Sequence, residues 1–175
     1  MKQNSELMEG INLNEFTSKL KKEDERYASI SKRFLIVFWI ILPIYFVLII
    51  YDVIVKASAA EIIGSVCTLL ALLIAILVYR FNYKKYKYVD YSQSTLIMLK
   101  KAVYRYQPYQ LNTLWGLLAL LLLSVNNYIN LSSSYSFAYF VGFIGLAILI
   151  GLLIWWIRYK PLYDGAKKLI REIEG

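Results

Sequence analysis

The sequence predicts an all-α polytopic membrane protein: a four-helix transmembrane bundle with amphipathic cytoplasmic helices attached. Three observations lead there. Of the 175 residues, 59% are hydrophobic, well above the share usual in soluble domains. The apolar residues are gathered into long charge-free runs, and the 20 Lys and Arg are gathered between those runs. His is absent and Cys occurs once, which excludes His-based acid–base catalysis, His-containing zinc sites, CxxC redox pairs and internal disulfides.

Residues 1–33 form a polar amino-terminal segment. Asn12 and Glu15 have capping-box spacing, and residues 1–11 before them are expected to be mobile. Leu13, Phe16, Leu20, Tyr27 and Ile30 then recur near the helical period among charged residues, which predicts an amphipathic helix leading into the membrane. The first transmembrane hairpin, 34–79, contains two uncharged runs, 34–51 and 62–79. Each is about 27 Å long as a helix, close to the hydrocarbon thickness. Ala57, Ser58 and Ala59 follow the first run like a signal-peptidase site, but the long polar lead favours a retained anchor. Pro43 predicts a kink in the first span.

Residues 80–113 form a basic, aromatic loop. Tyr79, Tyr83 and Tyr86 stand at i, i+4 and i+7, so the second helix is expected to run on past the membrane. Asp90 with Ser92 or Ser94 then caps a further helix ending near Tyr106, before Pro108. Leu96, Leu99 and Val103 form one face of that helix, flanked by Ile97 and Met98. Such a basic amphipathic helix lies in the headgroup layer or binds a protein.

Between Arg105 and Arg158 no charge occurs in 52 residues, enough for two crossings. The second transmembrane hairpin, 114–157, is divided by the polar cluster of Asn126, Asn127, Asn130, Ser132, Ser133 and Ser134. Asn130-Leu131-Ser132 is also a glycosylation sequon, but it lies hard against the membrane. The carboxy-terminal segment 158–175 reads as a break at Pro161 followed by a helix with Leu162, Ala166, Leu169 and Ile173 on one face.

Nineteen of the 20 basic residues fall in segments 1–33, 80–113 and 158–175, and only Lys56 falls on the other side. The positive-inside bias therefore predicts that both termini and the middle loop are cytoplasmic. The net charge of +8 follows from that topology and from anionic lipid, and nucleic acid is not expected as a partner. Tryptophans and tyrosines near the run ends make the usual aromatic belt.

Inside the runs, Gly64, Thr68, Ala71 and Ala75 form one small-residue stripe, and Ala138, Gly142 and Gly145 form another. Both are expected to pack within the bundle or against a second copy. No Asp, Glu, Lys or Arg lies inside a run, which argues against coupled transport. Cys67 has no cation beside it in sequence and reads as inert packing. Asp52, Glu61, Asp90 and Asp164 are the acidic residues near a bilayer surface, and no two have a recognisable catalytic spacing.

The layout, together with Tyr88-Val89-Asp90-Tyr91-Ser92, Leu99-Lys100-Lys101-Ala102 and Arg105-Tyr106, resembles small four-span bacterial membrane proteins of unassigned role. Some of these are encoded beside extracytoplasmic-function sigma factors, so the resemblance implies a membrane-bound, anti-sigma-like role in the inner membrane of a bacterium. The residues themselves lead to a non-enzymatic membrane adaptor or regulator without cofactor or metal. In that reading the bilayer and a cytosolic protein are its partners and a second copy is a further one, and Leu13, Phe16, Leu20, Leu96, Leu99 and Val103 make the partner contact. The alternative is a small oligomeric channel or transporter with its pathway near Asn126 and Asn127.

Overall fold

A computed structural model describes residues 13–107, 110–130 and 134–174. Expectations placed on residues 1–12, on Pro108 and on residues 131–133 lie outside the described residues. Every element described is helical: α1 (Leu13–Ile54), α2 (Ala59–Lys87), α3 (Thr95–Tyr106), α4 (Leu111–Asn130), α5 (Ser134–Ile154) and α6 (Lys160–Glu174), with a π-helical turn, Trp155–Tyr159, joining the last two. Three helices are long and apolar enough to cross a membrane, and Leu114–Ile129 is a shorter apolar one.

The amphipathic lead and the first apolar run are one helix, not two. α1 has 42 residues, about 63 Å at the standard helical rise, and it continues through Pro43. Its apolar upper part exposes Ile36, Trp39, Ile40, Val47 and Ile54. This pattern belongs in lipid, where apolar side chains gain nothing by turning inward. α1 ends in a tight reversal in which Lys56 takes a φ of 55°. Ser58 then caps α2: its backbone N–H donates to Glu61 Oε2 at 2.8 Å, and the Glu61 N–H donates to Ser58 Oγ at 3.3 Å. The Ala57-Ser58-Ala59 stretch is thus a helix start, with its serine used in a capping box.

α2 is the central helix, packed against α1 and α4. Gly64, Thr68 and Ala71 of the first small-residue stripe are buried and Ala75 is half-buried, so this stripe is a packing face within the chain. The second stripe behaves differently. Ala138, Gly142 and Gly145 on α5 are exposed, and a Cβ built on Gly142 or Gly145 would meet nothing within 4 Å. α5 touches α4 only lightly, so nothing among the described residues uses its small face.

Outside the apolar runs the helices share a second core. Phe16, Leu20 and Ala28 of α1, Tyr86 of α2, Met98, Leu99, Ala102 and Tyr106 of α3, and Tyr159, Leu162, Ala166 and Leu169 are buried together. The pieces expected as separate amphipathic helices therefore cover one another, forming a helical head. Pro161 does not break the carboxy-terminal segment. It stands at the second position of α6, directly after the π-turn whose closing bond runs from the Lys160 N–H to the Trp155 carbonyl. Widening the helix there absorbs the missing Pro161 N–H and the bulk of its ring. Ile173, expected on one face with Leu162, Ala166 and Leu169, is 49% exposed, one turn beyond the last buried residue, Leu169.

α6 approaches α1 closely at Gly165, where an added Cβ would lie 2.8 Å from Phe16 Cε2. We predict that Gly165→Ala lowers stability by about 1 kcal/mol net, overpacking outweighing the gain in helix propensity. In a Phe16→Leu background the same change becomes stabilising, and thermal melts of the four proteins in detergent check the sign reversal.

Candidate functional site

The centre of the head is ionic. Asp24 stands one turn after Leu20 on the inward face of α1 and is 1% exposed. Its Oδ2 accepts from Arg105 Nη2 at 2.9 Å and from the Tyr91 hydroxyl, and its Oδ1 accepts from the Tyr106 hydroxyl at 2.7 Å. One carboxylate thereby gathers α1, the α2–α3 loop and α3. Burial pushes the Asp24 carboxyl above its usual range, against the opposing pull of Arg105 and the two tyrosines. Arg105 Nε is buried without a hydrogen-bond partner, which keeps the pair from being fully satisfied.

Surrounding groups hold this centre in place. The Arg105 carbonyl accepts from the Tyr86 hydroxyl at 3.0 Å, and the Tyr106 carbonyl accepts from Trp155 Nε1 at 3.0 Å. Tyr27 lies between Tyr86 and Tyr159, with ring centroids 4.5 and 5.0 Å away, the offset geometry in which aromatic pairs attract. The neighbouring Glu23 accepts two bonds from Arg158, at 3.0 and 2.9 Å. Arg158 belongs to the π-turn, so adjacent acids on α1 fasten two different parts of the chain: Asp24 holds α3 and Glu23 holds the root of α6.

Lys85 forms a smaller polar centre on the same side. Its Nζ donates to Gln110 Oε1 at 2.6 Å and stands 5.0 Å from the Tyr104 ring centroid. Partial burial, with Arg105 adding repulsion, lowers this ammonium to about 8 from its ordinary 10.5. Between these values the unfolded chain holds a proton that the folded chain has released, so stability rises with pH across that window. Denaturant midpoints at pH 7, 8 and 9 should show the rise, and Lys85→Met should flatten it; nearer pH 10 the buried tyrosines, which burial holds above their ordinary value of 10, act in the opposite direction.

The residues singled out from sequence are dispersed by this arrangement. Phe16, Leu20 and Leu99 are buried in the head core, Leu96 and Val103 are half-buried, and Leu13 lies at the edge of exposure. Most of the proposed partner face is therefore occupied from within the chain. Asp52 accepts from Ser65 Oγ at 2.7 Å, Glu61 completes the capping box, and Asp90 closes a turn with Ser92 and Gln93. Asp164 is exposed on α6. Ser94 holds the N-cap position of α3 without a capping bond from its side chain. Asn127 Nδ2 donates to the Leu123 carbonyl of its own helix at 2.8 Å. Among the described residues no group of three or more potential ligands could hold a metal.

No family model, curated protein or solved structure matches this chain. The function has to be read from the geometry.

Asp24 and Arg105 carried a signal that sequence reading passed over. Phe16, Leu20, Asp24, Ala28 and Ser31 fall on one stripe of α1, and Met98, Leu99, Ala102, Arg105 and Tyr106 on one stripe of α3. A lone acid in one inward stripe and a lone base in another imply each other, because neither is stable buried alone.

Proposed function

We propose that the chain is a non-enzymatic integral membrane regulator or adaptor, anti-sigma-like at its most specific. In this reading four spans anchor it, both termini are cytoplasmic, and the head presents its outer surface to a cytosolic protein at the membrane. One observation carries the proposal: two helical rods, α1 and the α5–α6 continuum, run from the apolar region into the head, where Glu23 fastens them together through Arg158 and the adjacent Asp24 ties α1 to α3. Both Asp24 oxygens are engaged, so this carboxylate joins segments and is not open to a reactant. Coupled rods of this kind transmit a change in the membrane part to a cytosolic face. The exposed small face of α5 suits a second copy.

A channel has less support, because Asn127 spends its amide on its own helix. The test is proximity labelling from the carboxy terminus of the intact protein in its native membrane, with liposome flux measured in parallel. A defined cytosolic neighbour present with wild type and lost with Arg158→Gln, and no ion flux, is the expected outcome. Specific flux with no neighbour would overturn the proposal.

A further inference from the structure

A cleft of about 340 Å³ opens between α1 and the end of α2, beside the Asp24 cluster. Its walls include Lys21, Glu25, Ser29 and Lys32 of α1 and Tyr83 and Lys87 of α2. Elsewhere on the head some cations have carboxylates: Lys19 pairs with Glu15, Lys100 with Glu174, and Arg158 with Glu23. Lys21, Lys32 and Lys87 have no ion pair among the described residues, and they converge on one cavity. Asp24 also lines the cleft, but its oxygens are turned to Arg105, Tyr91 and Tyr106. That leaves Glu25, which makes no ion pair among the described residues, as the other carboxylate lining the cleft, against three lysines.

The position of the cleft narrows what would fill it. Lys32 is two residues before the apolar run that begins at Phe34, and Tyr83 is one turn past the run that ends at Tyr79. One helical turn is about 5.4 Å, so the mouth of the cleft lies at headgroup depth beside the hydrocarbon. We infer that this cleft binds a phosphate-bearing anion, drawn either from a lipid headgroup in the adjoining leaflet or from a soluble phosphate ester. Lys32 and Lys87 bracket the phosphate as point charges from opposite walls, with Lys21 above them. The hydroxyls of Ser29 and Tyr83, which have no hydrogen bond within the described residues, donate to its oxygens. The cavity falls at the small end of ligand-site volumes and suits a headgroup, while the acyl chains remain outside in the bilayer. This inference does not depend on the regulator reading.

The test uses the full chain reconstituted in phosphatidylcholine vesicles doped with phosphatidylglycerol, extracted in mild detergent and weighed by native mass spectrometry. Wild type should retain phosphatidylglycerol over phosphatidylcholine. The triple variant Lys21→Gln, Lys32→Gln, Lys87→Gln should lose that preference by about tenfold or more, given what each basic residue contributes near an anionic surface. A control triple on the exposed face of α6, Lys167→Gln, Lys168→Gln, Arg171→Gln, should keep it. Ser29→Glu, which adds a like charge to the cleft at an exposed position, provides a second route to the same loss should the triple variant misfold by circular dichroism. Displacement of the lipid by glycerol phosphate would support the site and assign it to a soluble ester, and resistance to displacement would assign it to the lipid. Equal loss in the two triples, or no retention by wild type, would overturn the inference.

Discussion

Asp24→Ala is expected to lower the stability of the head by about 3–5 kcal/mol, the usual consequence of leaving a buried charge without its partner. Arg105 is 5% exposed and already has one unsatisfied donor, so it cannot recover solvent without unpacking α3. The Tyr91 and Tyr106 hydroxyls lose an acceptor at the same time. Arg105→Met should cost a similar amount, since it strands the carboxylate. The double variant Asp24→Leu, Arg105→Met is the informative one. Burial alone raises the Asp24 carboxyl even with Arg105 beside it, so the attraction does not fully offset desolvation, and apolar side chains of similar volume should restore most of the loss. Denaturant unfolding of the four proteins in detergent, followed by far-ultraviolet circular dichroism, closes the cycle. A double variant as unstable as the singles would mean that the two tyrosine hydroxyls, not the ion pair, carry the cost.

The ion pair also shows where sequence reading reaches its limit. The helical character was legible because 3.6-residue periodicity and charge-free runs are local properties, and the α2 extension through Tyr83 and Tyr86 followed from the same rule. The amphipathic faces were legible too, but not what covers them. Leu20 and Leu99 are 79 positions apart, and an apolar stripe has the same pattern whether it meets lipid, a partner or its own chain. The break expected at Pro161 failed for a related reason. Proline removes one bond from an α-helix, and only the structure reveals that a π-turn has already shifted the bonding register before it. The α5 stripe shows the opposite case, since small residues permit close approach without supplying a neighbour.

Leu99→Asp should unfold the head, whereas Ile97→Asp with Tyr104→Asp should leave it folded and strip it of the proposed cytosolic partner. Leu99 is 0% exposed, inside the core shared by α1, α3 and α6. A carboxylate there has no cation left to meet, because Arg105 is committed to Asp24. The loss of apolar burial alone costs about 2–5 kcal/mol, and the desolvated charge adds to it. Ile97 and Tyr104 are 48% and 65% exposed and stand seven residues apart, so they share the outward face of α3. Charges placed there remain in water, and with the loss of the Tyr104 ring from Lys85 they should change stability by no more than about 1 kcal/mol. The two variants separate folding from binding when protease resistance of the head is measured beside proximity labelling. Loss of the proposed cytosolic neighbour with full resistance, seen only for the Ile97 and Tyr104 pair, would place the proposed contact surface on the outer face of α3. Retention of the neighbour by that pair would move the surface to the basic outer face of α6, around Lys167, Lys168 and Arg171.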